Sequence, residues 1–544
     1  MHTTAKLAFL MAALMLSACG GPQPQENADS DSAGQSVQQR YSHDTLVSGS
    51  DFHGIHGITE GPDGALYAGS VVGQSIYRID RETGTVTTEV EAPAGSADDL
   101  VFGPNGQLYW TDILRGQVKT RNNAGDVVIL ANNLPGANAI DFHPDGRLFV
   151  TQVFQGDALN EIDPAGVAPP RQVIADIGGL NGFEIGQDGF LYGPLWFRDQ
   201  VVKINVDTGE LNVVTDGIDT PAAVNFGIDG ALYVAENATG QIFSVDIKTG
   251  EKQVIAATPS NPDNIAVTAS GDLFVTHMSD NSITQVNLET GELDYIIAGG
   301  LALPGGLAAY NNSVFVADTF SLRQLSLETG AIVDIERVVD RHGYPLSVGV
   351  IRDKLATSSW SSGTVQLYDA RTGESIGIKD GFVAPYDFAA GPDNSFYVAE
   401  FGTACIVRVE FSSDARDCVV GELAGPVGLA VGEGGRLYIS ESLAGRITVF
   451  DPESENRSIL VDGLSEPEGI ALDGDFLVVA EVGMQRVLRI SIADGSIETI
   501  GEVPMGLPGV EGVPPAFVPT GVAISDGHII VSSDVENAIY RFSK

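Results

Sequence analysis

Six positions in the first half of the chain, His56, Asp98, Asn138, Asn181, Ala222 and Asp263, recur at steps of about 41 residues. Five of the six carry an oxygen or imidazole ligand. A second set stands fourteen residues further on: Ser70, Asp112, Gln152, Leu195, Glu236 and His277. Convergent carboxylate and amide oxygens suit calcium, a hard cation that takes about six to eight oxygen ligands. Asp98, Asn138, Asn181 and Asp263 are the candidate ligands, with magnesium as the alternative ion. A cation there would polarise a carbonyl or phosphoryl oxygen. His56, His277 or a carboxylate such as Asp112 would move the proton. The plainer reading is that Asp and Asn cap turns at strand starts, their polar atoms satisfied locally.

The repeat also supplies the elements that position these groups. Each copy reads roughly Pro-X-Gly-Ile-Ala, then Asp-Gly-x-Leu-Tyr-Val-Ala-Glu, then two further Val/Ile runs split by Thr-Gly-Glu. Runs such as Ala231–Ala235 alternate as strands do. Asp63-Gly64, Asp145-Gly146 and Asp229-Gly230 supply the positive φ of a tight hairpin. Six more copies follow, with X at Gly305, Leu346, Tyr386, Val427, Glu468 and Thr520. Twelve copies of about 41 residues with no helical pattern predict an all-β chain of twelve four-stranded propeller blades.

Rings normally hold about four to eight blades, so two tandem six-bladed β-propellers is the natural grouping. A five-plus-seven split or one large ring fits the same repeat. The last copy ends at Ala538–Phe542 without a fourth strand, and an orphan fourth strand, Asp44–Gly49, precedes the first copy. Borrowing it closes a ring and removes a sheet edge. If it closes blade six, Leu293–Ala298 is free to close blade twelve. The expected divisions are 43–292 for the first ring and 293–544 for the second. In a propeller the start of each inner strand and the end of the next strand share one mouth. The first mouth is therefore polar and reads as a site; the second is mostly apolar and reads as a scaffold.

Residues 1–19, with Lys6 and an apolar run from Leu7 to Leu16, read as a secretory signal. Leu16-Ser17-Ala18-Cys19-Gly20 resembles a bacterial lipobox, which makes Cys19 the expected lipid anchor. Residues 20–42 are a polar tether. The expected location is the bacterial cell envelope, with membrane contact only through that lipid. A net charge of −43 disfavours nucleic acid as a partner. Cys405 and Cys418 flank a turn in blade nine, where antiparallel pairing and an exported setting allow a disulfide.

Pro262–His277, reading PDNIAVTASGDLFVTH, is similar to a paraoxonase stretch with an Asp-Asn metal pair. His56-Gly57-Ile58-Thr59 resembles that family's His-Gly-Ile-Ser blade start. Ser96–Leu100 resembles its acidic-pair blade, and Asn181-Gly182 its Asn-Gly ligand. The chain thus resembles the six-bladed calcium-dependent hydrolases: regucalcin/gluconolactonase, diisopropylfluorophosphatase and paraoxonase. That resemblance implies a catalytic calcium held by Asp98, Asn138, Asn181, Asp263 and Asn264, with His56 or His277 assisting. Blade order departs from the family, and His56 stands where it has a glutamate. The repeats also resemble the virginiamycin B lyase family, in which a channel-mouth His and Glu with magnesium perform an elimination.

Three functions fit these observations. One is a calcium-dependent hydrolase of lactones or related esters, acting on a small-molecule substrate. The second is a lyase using the same mouth, with His277 as the base. The third is a surface adaptor that binds a protein or glycan ligand, as NHL-type propellers do. A stiff Pro-rich insertion, Gly501–Pro519, also emerges on the second mouth, as a plug, an apolar pocket or a plain surface insertion.

Overall fold

The computed structural model describes residues 41–392, 394–413, 415–510 and 513–544. The expected signal, the Cys19 anchor and nearly all of the tether lie outside the described residues. Twelve four-stranded antiparallel sheets account for the strands. Blade five shows why the sequence folds this way. Leu232–Glu236 is wholly buried, whereas its outer strand, Lys252–Ala257, is mostly exposed. Between its first two strands Gly230 takes φ +81°, and Asp229 Oδ1 accepts from Ala231 N at 3.1 Å. At the second hairpin Asp246 Oδ1 accepts from Lys248 N at 2.8 Å and Thr249 N at 3.1 Å.

The blades form two rings of six. The inner strand Ile55–Glu60 packs on both Leu100–Phe102 and Pro262–Val267, which closes the first ring. Leu307–Tyr310 packs on both Ser347–Ile351 and Val522–Ser525, which closes the second. Side chains of the inner strands stitch neighbouring blades together by accepting the next blade's backbone N–H. Asp99 Oδ2 takes Ile140 N at 3.2 Å, Asp141 Oδ2 takes Ile185 N at 2.8 Å, and Asn225 Oδ1 takes Val267 N at 2.7 Å. Asp387 and Glu468 do the same in the second ring.

The orphan strand closes blade twelve, not blade six. Ser42–Val47 runs antiparallel to Ala538–Ser543, while blade six keeps its own outer strand, Leu293–Ile297. The cut expected after residue 292 thus falls inside blade six, whose last strand follows from a tight hairpin at Gly291. Pairing across that hairpin closes a shorter loop than any distant strand could. Blade twelve has no such neighbour.

The chain therefore crosses between the rings twice, through residues 48–54 and 298–306. Asn281 fastens both crossings. Its Nδ2 donates to Phe52 O at 2.6 Å and Ala302 O at 3.1 Å, and its Oδ1 accepts from Gly54 N at 2.9 Å. Arg337 of the second ring pairs with Asp280 of the first at 2.8 Å.

Cys405 and Cys418 are joined by a disulfide, with their Cα atoms 6.0 Å apart. The Pro-rich segment packs over the second mouth. Pro515 O accepts from Tyr386 Oη at 2.6 Å, Phe517 O accepts from Trp360 Nε1 at 3.0 Å, and Met505 and Val518 are buried. Among the described residues no helix is long and apolar enough to cross a membrane.

Candidate functional site

All six recurring positions of the first ring line one cleft. They sit where the inner strands begin, a place where in four of the six blades the register slips and the chain bulges. His56 occupies the middle of the arrangement. Its Nδ1 lies 3.4 Å from Asp263 Oδ2 and 3.9 Å from Asp98 Oδ1. Its Nε2 is buried and has no hydrogen-bond partner in the protein. Burial works against the imidazolium, but the charges of Asp263 and Asp98 overcome it and hold His56 above its ordinary pKa. Burial also pushes the Asp98 carboxyl up to about 7, a rise that the nearby His56 partly offsets.

Asn138 and Asn181 are buried in the same wall. Asn264 joins it too, donating through Nδ2 to Asp99 Oδ1 at 3.1 Å across blade one. Gly57 makes that reach possible. A Cβ there would stand 2.6 Å from Asp99 Oδ1 and 2.7 Å from Asp98 O. Burial lifts Asp99 to about 8, although backbone N–H groups of Leu100 and Ile140 favour its charged form.

The cleft does not include two of the expected catalytic residues. Asp112 is fully buried, bonded to Lys119 Nζ at 2.5 Å and Arg115 Nη1 at 3.0 Å. Two cations already neutralise it, which makes it a structural counter-ion. His277 is likewise fully buried, with Asp280 and Arg337 as charged neighbours. Burial holds it down to about 4, so it is neutral at physiological pH. Both residues close the second strand of a blade, and neither lines the cleft.

Five residues that do face the cleft stand one or two places further on: Val72, Leu114, Phe154, Trp196 and Met278. They form an apolar rim above the polar floor. Their signal in the sequence is a large apolar residue, repeated blade after blade, inside a turn where polar residues would be expected. The remaining wall comes from the second ring, and the cleft encloses about 170 Å³.

The oxygens of Asp98, Asp263, Asn138 and Asn181 are of the chemical kind that holds a hard divalent cation. Among the described residues no three His, Cys, Asp or Glu side chains are gathered as a metal cluster. What the arrangement does hold is an imidazole braced between two carboxylates, with its other nitrogen unengaged. A carboxylate at Nδ1 keeps the proton there and leaves Nε2 basic.

A search of curated proteins returns no match. Among solved structures, virginiamycin B lyase from Staphylococcus aureus is similar at 18% identity and a TM-score of 0.38, covering 54% of this chain and 98% of its own. The extracellular domain of a putative one-component system from B. thetaiotaomicron is 9% identical, with a TM-score of 0.32, and covers 91% of this chain and 83% of its own. A putative gluconolactonase is 14% identical, with a TM-score of 0.38, over 48% of this chain and 94% of its own. A strictosidine synthase family model matches residues 418–494, within the second ring. The virginiamycin B lyase family model matches residues 43–322, the whole first ring and more than half of the chain, and the chain belongs to that family.

Proposed function

We propose that the first mouth is the active site of a lyase that opens ester or lactone bonds by elimination, with His56 as the base. The observation that carries this reading is the braced imidazole: Nδ1 between Asp98 and Asp263, and Nε2 without a protein partner. His56 Nε2 takes the proton from the carbon α to the substrate's carbonyl. The freed electron pair forms the Cα–Cβ double bond, and the Cβ–O bond breaks with its pair leaving as a carboxylate. Asp263 and Asp98 stabilise the imidazolium, which then returns its proton to solvent or to the leaving carboxylate. A divalent cation held by Asp98, Asp263, Asn138 and Asn181 would polarise the substrate carbonyl and make its α-proton more acidic. Calcium and magnesium both suit that role. A lipid on Cys19 would hold this chemistry at the cell envelope.

The same oxygen donors favour a second reading, hydrolysis of lactones by water. Reaction in ¹⁸O-water separates the two, because elimination yields an unsaturated acid without the label whereas hydrolysis incorporates it. A panel of macrocyclic lactones and β-acyloxy esters, run with calcium, with magnesium and with chelator, is the direct assay. His56→Ala should lose roughly 10²–10⁴-fold in rate, the usual worth of a general base. A wild-type rate in His56→Ala would end the assignment.

A further inference from the structure

The cleft has two sides, and only one belongs to the first ring. Phe320, Tyr344, Leu346, Trp360 and Phe517, from blades seven and eight and from the Pro-rich segment, line its other side. The expectation that the second ring is only a scaffold does not survive this placement.

Phe320 is held in position from both rings. Its carbonyl accepts from Ser279 Oγ at 3.0 Å and lies 3.0 Å from His342 Nε2. Its ring stands edge-on to His56, with centroids 5.8 Å apart. Gly54 is shaped to admit it, since a Cβ there would come within 2.2 Å of the Phe320 ring. Trp360 and Phe517 meet edge to face at 5.5 Å, fixed by the bond from the indole N–H to the Phe517 carbonyl. Opposite them the first ring presents its own aromatic pair, Phe154 and Trp196, with centroids 5.8 Å apart. The two chain crossings, the Asn281 bonds and the Arg337–Asp280 pair set the distance between these sides.

We propose that the second ring is the specificity wall of the first ring's site. Trp360, Phe517 and Phe320 form with Trp196 a slot for the flat, apolar or aromatic body of the substrate. The scissile ester lies at the polar floor beside His56. This inference rests on the elimination reading for what happens at the floor, but the slot is a binding surface in its own right. Aromatic walls of this kind suit bulky, ring-containing esters.

The test uses the full chain and a neutral aromatic dye, N-phenyl-1-naphthylamine, as the probe. Trp360→Ala and Phe517→Ala should each weaken dye binding roughly tenfold, the loss expected for one aromatic contact face. Trp360→Phe should restore binding to within about threefold. Both alanine substitutions replace half-buried side chains, and circular dichroism of each variant checks that it folds. With turned-over esters, KM should rise for aryl substrates at unchanged kcat and stay constant for a small aliphatic lactone. Loss of dye binding in the variants, with no ester turned over by the wild type, keeps the slot and removes the elimination reading. Unchanged dye binding and unchanged KM in both alanine variants, with His56→Ala inactive, keeps the reaction and overturns the slot. No dye binding to the wild type overturns it as well.

Discussion

Removing the first strand tests the topology that brings the two mouths together. A chain beginning at Ser50 lacks Tyr41 and Ser42–Val47, which leaves Ala538–Ser543 as an unpaired edge of blade twelve. Tyr41 and Val47 are 5% and 8% exposed, so the deletion uncovers two nearly buried apolar side chains and the surfaces they cover. At roughly 1.5–3 kcal/mol each, the loss is about 3–6 kcal/mol. That is an upper figure, because the unfolded chain already hides part of such surface. The Arg541–Asp44 pair is exposed and adds little. A loss of about 3 kcal/mol corresponds to more than a hundredfold in an opening equilibrium. Hydrogen exchange followed by peptide mass spectrometry reads it strand by strand. Amides of His528–Ser533 and Ala538–Ser543 should exchange at least about a hundredfold faster, and those of Ser282–Val286 and Leu293–Ile297 should not change. Adding the peptide of residues 41–50 should restore protection. Faster exchange at Leu293–Ile297 with Ala538–Ser543 unaffected would refute the closure of blade twelve.

Two further outcomes follow from the interiors of the two rings. Burial lifts Glu184 and Glu468 to about 8, and Asp98 to about 7, so the folded chain keeps protons that the unfolded chain has already lost. Such groups stabilise most fully at pH below their unfolded values near 4, and the contribution is lost as pH rises toward 8. The neutral buried histidines, His277 and His342, work in the opposite direction, but only between about 4 and 6.5. The clean window is pH 6.5–8, where the melting temperature in chelator-treated, metal-free buffer should fall as pH rises; a rise would contradict the assignment. Gly57→Ala places a Cβ against backbone atoms of Asp98 and Asp99, which cannot swing aside as a side-chain tip can. Calorimetry should show about 1–3 kcal/mol of destabilisation from overpacking, and turnover should drop because Asp98 is pushed from His56; a neutral result in both would mean that the contact relaxes freely.

The repeat made the blades legible because each strand and hairpin is decided within about forty residues, by alternation and by Asp-Gly and Thr-Gly turns. The inner-strand positions were legible for the same reason. His56, Asp98, Asn138, Asn181 and Asp263 share one place in the repeat, so ring symmetry alone brings them to one mouth. Closure was harder to read, since the orphan strand matches blades six and twelve equally well in type. What decided it was vacancy, because blade six fills its own edge across a hairpin and blade twelve has nothing left to use.

Side-chain direction at strand ends is where the repeat stops informing. Asp112 and His277 occupy the same position in the repeat as Ser70 and Glu236, and alternation aims that position at the mouth only while the strand continues. At Asp112 the strand ends and the chain turns, so the side chain swings back to cap the turn, where Arg115 N donates to its Oδ1 at 3.1 Å and Lys119 and Arg115 neutralise it. A carboxylate three residues before an arginine and seven before a lysine in the next strand is a local ion pair waiting to form. The same turn rotates the following apolar residue, Leu114, into the cleft. The polar floor is therefore set by the start of one strand and the apolar rim by the turn after the next. On the proposed reading, a substrate that fits both would place its ester at the inner strands and its apolar body outward, toward the second ring.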